Sequence, residues 1–184
     1  MKRVDYLDWE DEFMFSARLA AERSKDPHTQ VGAIIVNEKK RIVATGYNGL
    51  PRGCSDDEFP WARERDVEDI LDSKTFYVVH AELNAILNAE KSVDGCTIFT
   101  TLFPCAHCTG AILQSGIVRV VYLRHKGKWD EKTYVASRRM MDAAGVPYVR
   151  HDPKKKSMTL PMENDDDDDD HVTQDVRPVP DTCA

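Results

Sequence analysis

The chain has 184 residues, of which 41% are hydrophobic, and a formal net charge of -7. This length suits one domain with a sizeable core, and the absence of an apolar run of about 18 residues gives no reason to expect a membrane partner. From His151 onward there are ten acidic residues against four basic ones, so the rest of the chain is close to neutral and predicts no nucleic-acid partner.

Cysteine usage and the start of the chain indicate the compartment. Two cysteines stand in C-x-x-C spacing with a histidine between them, which suits a metal better than a disulfide framework. The first residues turn acidic and aromatic at once, without the apolar segment of a secretory signal. A cytoplasmic location is therefore expected.

A helix, a hairpin and a glycine-rich loop are predicted for the first part of the chain. Asp8 can cap a helix over 9–23, whose apolar residues recur at helical spacing. Segments 31–36 and 42–47 are rich in β-branched residues and flank a polar turn, which predicts a β-hairpin. The loop after it holds Gly46, Gly49 and Gly53, and such loops commonly bind ligands.

The second part of the chain alternates regularly between helices and strands. Residues 55–75 are charged, and form either a short helix at 63–71 or a solvated excursion. Beyond them, helices are predicted at 81–90, 105–114 and 131–144, and strands at 97–101, 118–123 and 148–150. This alternation predicts an α/β domain in which an antiparallel hairpin joins an otherwise parallel sheet.

The C-terminal segment has a different composition. Lysines at 154–156, six consecutive aspartates at 165–170 and two later prolines leave little apolar surface to offset the entropy of ordering. We therefore predict a domain over 1–152 and an acidic, disordered tail over 153–184. The lysine triplet is either a charged linker or a localisation signal.

Two short motifs carry the chemistry. His80 and Glu82 open one predicted helix, and Cys105 and Cys108 follow Pro104 at the start of the next. One histidine and two cysteines suit zinc, and three ligands are the number for a catalytic zinc that keeps a fourth position for water. H-x-E followed by P-C-x-x-C is the known mark of zinc-dependent nucleobase deaminases.

The fourth zinc position separates two interpretations. In a closed structural site Cys96, His107 or Cys54 would complete the coordination, although Cys96 before a strand is better explained as a small core residue. In an open site Glu82 remains free to act as a general base. We then expect Glu82 to take a proton from water, pass it to N3 of a pyrimidine as hydroxide adds at C4, and serve the exocyclic amine in a second transfer that releases ammonia.

Four segments give the chain a resemblance to a known family. They are SKDP with QVGA (24–33), GYNGLP with GCSDD (46–57), HAELNAI (80–86) and LFPC (102–105). With these residues the sequence resembles the deoxycytidylate (dCMP) deaminase family of the cytidine deaminase-like superfamily, over about residues 6–150. The resemblance implies a three-layer α/β/α sandwich with a mixed five-stranded sheet.

The same resemblance implies roles for individual residues. It makes His80, Cys105 and Cys108 the zinc ligands and Glu82 the proton shuttle. It also implies a substrate-binding group, whose first member is the asparagine expected at the sugar, followed by residues of the base pocket and a lysine for the phosphate: Asn48, Ala81, Phe103, Pro104 and Lys25. Alternatives remain: Asn48 as a turn residue, Phe103 as a core aromatic and Lys25 as an ordinary exposed lysine.

The family resemblance further implies regulation and assembly. Members are allosteric, activated by dCTP with Mg²⁺ and inhibited by dTTP, and usually form hexamers. The segment that resembles the effector-binding loop contains Gly49, Arg52, Gly53 and Asp56. The acidic tail has no family counterpart.

The function expected is hydrolysis of dCMP to dUMP and ammonia, which would supply thymidylate synthesis. Nearer alternatives within the superfamily are deamination of dCTP, cytidine, guanine or tRNA adenosine, and a near-neutral core opposes the last. From a different class, the chain could be a catalytically inactive, zinc-stabilised interaction module. An unliganded glutamate beside the metal argues against that module.

Overall fold

Five strands form one mixed sheet in the computed structural model, which describes residues 1–128 and 131–161. The strands are β1 (Gly32–Val36), β2 (Ile42–Tyr47), β3 (Thr97–Leu102), β4 (Arg119–Arg124) and β5 (Tyr148–Arg150). Their order in the sheet is β2-β1-β3-β4-β5. β1 is antiparallel to both of its neighbours, whereas β3, β4 and β5 are parallel. The predicted antiparallel hairpin on a parallel sheet is confirmed.

Helices cover both faces of the sheet and produce three layers. The helices are α1 (Trp9–Ala21), α2 (Ala81–Leu87), α3 (Ala106–Gln114) and α4 (Lys132–Ala144). β1 is buried along its whole length, and its side chains alternate between the layers. Ile34 and Val36 pack with α1, while Ala33 and Ile35 pack in the core shared with α2, α3 and α4. The predicted α/β/α sandwich is therefore confirmed.

Two glycines let helices approach the sheet closely. A Cβ on Gly32 would lie 2.0 Å from the carbonyl oxygen of Ala17 in α1, and one on Gly46 would lie 2.3 Å from the backbone nitrogen of Ala85 in α2. The side chain of Asn84 strengthens the second contact, because its Nδ2 donates to the carbonyl of Tyr47 at 2.7 Å. α2 is thereby held directly against β2.

The charged excursion after β2 contains no continuous helix. It forms three single turns of 3-10 helix at Glu64–Asp66, Ile70–Asp72 and Lys74–Phe76. A helix at 63–71 is therefore wrong, because the side chain of Asp69 accepts a hydrogen bond from the backbone nitrogen of Leu71 and favours a turn over helix propagation. The backbones of Gly49 and Val79 pair at the base of this excursion, so the chain re-enters the domain beside the point where it left.

The helix boundaries place two of the predicted zinc ligands at helix starts. His80 is the N-cap of α2 and Cys105 is the N-cap of α3. α2 ends at Leu87, three residues earlier than predicted. Gly145 ends α4 in a left-handed conformation, as its position before a strand indicates.

The C-terminal residues described by the structure, 153–161, run beside α1. The backbone nitrogen of Lys155 donates to Asp11, whose other carboxylate oxygen accepts from His151 at 2.7 Å. The remainder of the predicted disordered tail, 162–184, lies outside the described residues. Within residues 1–128 and 131–161, none of the helices has the length and apolar character needed to cross a membrane.

Candidate functional site

Three metal-binding side chains meet where α2 and α3 begin. Nδ1 of His80 lies 3.5 Å from Sγ of Cys105 and 3.4 Å from Sγ of Cys108, and the three ligand atoms all lie within 4.8 Å of one another. β3 delivers the cysteine loop, and the returning excursion delivers His80 to the same edge of the sheet. Residues far apart in the chain thus form one group.

The spacing of these atoms fits tetrahedral zinc. Zn–S bonds of about 2.3 Å and Zn–N bonds of about 2.0–2.1 Å, at the tetrahedral angle, put sulfur and nitrogen about 3.6 Å apart. The two observed sulfur–nitrogen distances agree with this value. His80 would therefore ligate through Nδ1, and the two cysteines through Sγ.

No fourth protein donor joins the group within the described part of the chain. Cys96 is buried at the start of β3, where burial raises the pKa of its thiol, and Sγ lies 3.9 Å from the carbonyl of Asp94. Cys54 and His107 are also absent from the group. The residues described here leave one tetrahedral position for a non-protein ligand.

The electrostatics of the group favour a thiolate at Cys105. A hydrogen bond from the Cys108 thiol lowers the pKa of Cys105 to about 3, and the imidazole of His80 and the backbone N–H of Cys108 act in the same direction. The same bond, together with burial and the nearby Glu82 charge, raises the pKa of Cys108. A cation would release the second proton, since metal ligation requires the thiolate form.

Glu82 lies beside this group in the first turn of α2. It is only 4% exposed, and burial raises the pKa of its carboxyl group above the ordinary value. The group of possible metal ligands does not include it. A buried carboxyl group with a raised pKa that is not a ligand is suited to accept a proton and to return it.

A cavity of about 270 Å³ opens in front of Glu82 and the ligand group. Among the residues predicted to bind substrate, Asn48, Ala81 and Phe103 line it. Pro104 is buried next to the cavity, and its carbonyl accepts a hydrogen bond from Ser137. Lys25 is not among the lining residues, because its ammonium pairs with Asp56 on the exposed side of the loop.

Asn48 is held by hydrogen bonds on every side. Its Oδ1 accepts from the backbone nitrogen of Val31 at 2.8 Å, while Nδ2 donates to Asp26 at 3.2 Å and to the carbonyl of Thr29 at 3.0 Å. Both amide protons are therefore committed within the protein. A ligand can meet this side chain only through the second lone pair of Oδ1, which would accept from a hydroxyl group.

Phe103 is both a core aromatic and a cavity wall. It is 1% exposed, and its ring makes edge-to-face contacts with Tyr122 at 4.8 Å and Tyr134 at 5.9 Å between centroids. Its position is therefore set by aromatic packing, and the two interpretations of this residue are compatible.

Several cavity residues escaped prediction from the sequence. Asp26 and Lys74 form an ion pair in the wall, and Lys126 reaches the cavity from the loop after β4, where its Nζ lies 3.3 Å from Oγ1 of Thr29. Asp26 stands in the SKDP segment, so the motif marked its importance without indicating a role. Nothing in the charged sequence around Lys74 distinguished it from its exposed neighbours.

The four residues predicted for effector binding lie near the base of the excursion. Gly49 pairs with the backbone of Val79, Arg52 is exposed, and Gly53 adopts a φ of 86° that favours glycine. Asp56 forms the ion pair with Lys25.

Comparisons with known proteins agree with this site. Residues 7–124 match the family described as "Cytidine and deoxycytidylate deaminase zinc-binding region". The chain is 53% identical to a probable deoxycytidylate deaminase of Drosophila melanogaster, over 88% of this chain and 81% of the relative. It is 45% identical to the deoxycytidylate deaminase of Homo sapiens, over 89% and 90% of the two chains.

A solved structure provides the same fold. The dCMP deaminase of cyanophage S-TIM5, determined in complex with dCMP and dUMP, is 26% identical with a TM-score of 0.60, and the match covers 77% of this chain and 96% of the phage chain. The family model, the relatives and this structure confirm the resemblance inferred from the sequence motifs. The chain belongs to the cytidine and deoxycytidylate deaminase family.

Proposed function

We propose that this protein is a zinc-dependent hydrolase that converts dCMP to dUMP and ammonia. One observation carries the proposal: the buried carboxyl group of Glu82 lines the same cavity as His80 and Cys105, which with Cys108 form a three-residue group that could hold zinc and leave one coordination position open. The similarity to named deoxycytidylate deaminases, and to a phage enzyme with dCMP and dUMP bound, supports the choice of substrate.

Zinc and Glu82 would have separate roles in the reaction. Zinc, when bound, supplies a Lewis acid that makes water a better nucleophile near neutral pH, although two thiolates weaken this effect compared with neutral ligands. Glu82 accepts the proton that water loses and delivers it to N3 of the cytosine as oxygen adds to C4. Glu82 then carries the proton of the new C4 hydroxyl group to the exocyclic amine. The C4–N bond breaks, ammonia leaves and the uracil carbonyl forms.

Two residues would orient the nucleotide. Asn48 can accept a hydrogen bond from a sugar hydroxyl through its remaining lone pair, as described above. Lys126 is the favoured partner for the phosphate, since within the described residues no carboxylate lies within 4.0 Å of its ammonium group. Lys74 is neutralised by Asp26, and Lys25 by Asp56 outside the cavity.

The test compares ammonia release by purified, zinc-loaded enzymes. Glu82→Gln keeps the size of the side chain and removes its proton transfer, so we expect full zinc content and a loss of turnover of at least about 10²-fold. His80→Ala should lose the zinc itself, which metal analysis measures. If the wild type releases no ammonia from dCMP, the proposal fails, and a lack of release from dCTP and cytidine as well would favour the interaction-module alternative. Retained turnover in zinc-loaded Glu82→Gln would reject the role of Glu82.

Regulation and assembly form the finer part of the proposal. The similarity of the Gly49–Asp57 loop to the effector segment of the family supports activation by dCTP with Mg²⁺ and inhibition by dTTP, and the family resemblance supports a hexameric assembly. Supply of dUMP for thymidylate synthesis and a cytoplasmic location stay predictions from the sequence. The rate should depend sigmoidally on dCMP concentration and become hyperbolic with dCTP. A hyperbolic curve that neither nucleotide changes would remove the regulatory part alone.

A further inference from the structure

Both peptide units that flank the zinc ligand Cys105 are hydrogen-bonded to hydroxyl groups of α4. The backbone nitrogen of Ala106, just after the cysteine, donates to Oγ1 of Thr133 at 3.1 Å. The carbonyl of Pro104, just before it, accepts from Oγ of Ser137 at 3.0 Å. Thr133 and Ser137 are four residues apart, so they lie on the same side of α4.

The position of Cys105 at the start of α3 explains why hydrogen bonds from α4 matter for the backbone beside it. Cys105 is the N-cap of α3, and its side chain makes no capping bond with the helix. The N–H of Ala106 is one of the groups at a helix start that lack an intrahelical acceptor. Thr133 satisfies it from a neighbouring helix. Cys108 differs, since it is buried inside the first turn of α3.

The hydroxyl group of Ser137 is a buried hydrogen-bond donor. Ser137 is fully buried, and its single hydroxyl proton is shared between the carbonyl of Pro104 and that of Thr133, the latter at 2.9 Å. Ser137 does not line the substrate cavity, whereas Thr133 does. A change at Ser137 therefore acts on the ligand loop without removing a cavity wall.

We propose that Thr133 and Ser137 are positioning residues that hold the backbone on both sides of Cys105 and so fix its sulfur in tetrahedral register with His80 and Cys108. The contact makes α4 part of the metal site, although it contributes no ligand. Hydrogen bonds that orient the ligands of a metal typically change its affinity by 10- to 100-fold when they are removed.

Zinc retention tests this inference independently of the substrate. Zinc-loaded wild type, Ser137→Ala and Thr133→Val are mixed with excess chromogenic chelator, and the rate of zinc release is followed. Each variant should release zinc about 10- to 100-fold faster than the wild type. Thr133→Ser, which keeps the hydroxyl, should stay close to the wild-type rate. Ser115→Ala is the matched control, because Ser115 makes a similar helix bond to Ile112 at the far end of α3.

A spectroscopic measurement separates positioning from plain stability. With Co²⁺ in place of zinc, the ligand-field bands of Ser137→Ala should shift, while those of Ser115→Ala should match the wild type. Release rates of Ser137→Ala and Thr133→Val within twofold of the wild type would overturn the proposal. Lower melting temperatures with unchanged release and unchanged cobalt bands would do the same. If Ser137→Ala does not fold, Thr133→Val against Thr133→Ser decides by the same criterion.

Discussion

Among the polar contacts of the cavity wall, the buried ion pair of Asp26 and Lys74 should contribute most to the free energy of unfolding. The Asp26 carboxylate is 3% exposed and accepts from the backbone nitrogens of His28 and Thr29, from Asn48 and from Lys74. It therefore joins the SKDP loop, the end of β2 and the last turn of the excursion. Lys74→Met removes the ammonium group and keeps most of the side-chain volume.

The expected cost follows from this arrangement. Removing one partner of a buried ion pair typically costs 3–5 kcal/mol, because the other charge stays buried. Lys74 is 16% exposed and three other donors still serve the carboxylate, so we expect the low end, about 3 kcal/mol. Asp26→Asn should cost a similar amount, since its amide group would present donors to Lys74 and Asn48.

Urea denaturation of the zinc-loaded proteins, all at the same protein concentration, measures these changes in the free energy of unfolding. With an m value of about 2 kcal/mol/M, a loss of 3 kcal/mol lowers the midpoint by about 1.5 M. The double variant Asp26→Asn with Lys74→Met should lose about 2 kcal/mol less than the sum of the single variants, because the two groups interact directly. Additive costs, within about 0.5 kcal/mol, would refute the interaction.

Three further predictions concern acid stability, packing and substrate choice. Burial acts to raise the pKa of Asp26, but Lys74 and two backbone amides outweigh burial and lower that pKa. On acidification the unfolded chain therefore binds a proton at Asp26 before the folded chain does, so below about pH 4 the free energy of unfolding should fall more for the wild type than for Asp26→Asn. The same pH dependence in both proteins would contradict this assignment. Gly46→Ala places a Cβ 2.3 Å from the backbone nitrogen of Ala85. We therefore expect the free energy of unfolding measured in urea to fall by about 1–3 kcal/mol, and kcat to fall because α2 moves together with Glu82. A wild-type kcat would show that α2 does not move. Lys126→Met should raise KM for dCMP about 10- to 100-fold and leave KM for deoxycytidine nearly unchanged. The control Lys25→Met should alter neither constant. The reverse pattern would indicate that Lys25 and not Lys126 binds the phosphate.

Most secondary structure was predictable because it depends on short-range patterns. The helical spacing in α1, the β-branched strands of the hairpin and the left-handed glycine after α4 are all local signals. The motif around His80 and Cys105 predicted a metal group because one histidine and two cysteines are a ligand set typical of catalytic zinc. The excursion between β2 and α2 was unpredictable in detail, since its local Asp and Ser bonds produce no periodic pattern.

The roles of the charged residues depended on tertiary structure. The sequence motif favoured Lys25 for the phosphate, yet Lys25 pairs at the surface, Lys74 is neutralised in the cavity wall and Lys126 remains available to an anion. The partner of each lysine lies 31, 48 or 97 positions away along the chain.

The sequence by itself determined the order of the elements and the identity of the residues proposed as metal donors, because helix periodicity, strand composition and ligand chemistry are properties of neighbouring residues. Only the tertiary structure decided which charges are buried together and that α4 hydrogen-bonds the backbone around Cys105. Those contacts join segments remote along the chain, and their energies depend on distance and burial, which exist only after the layers have packed.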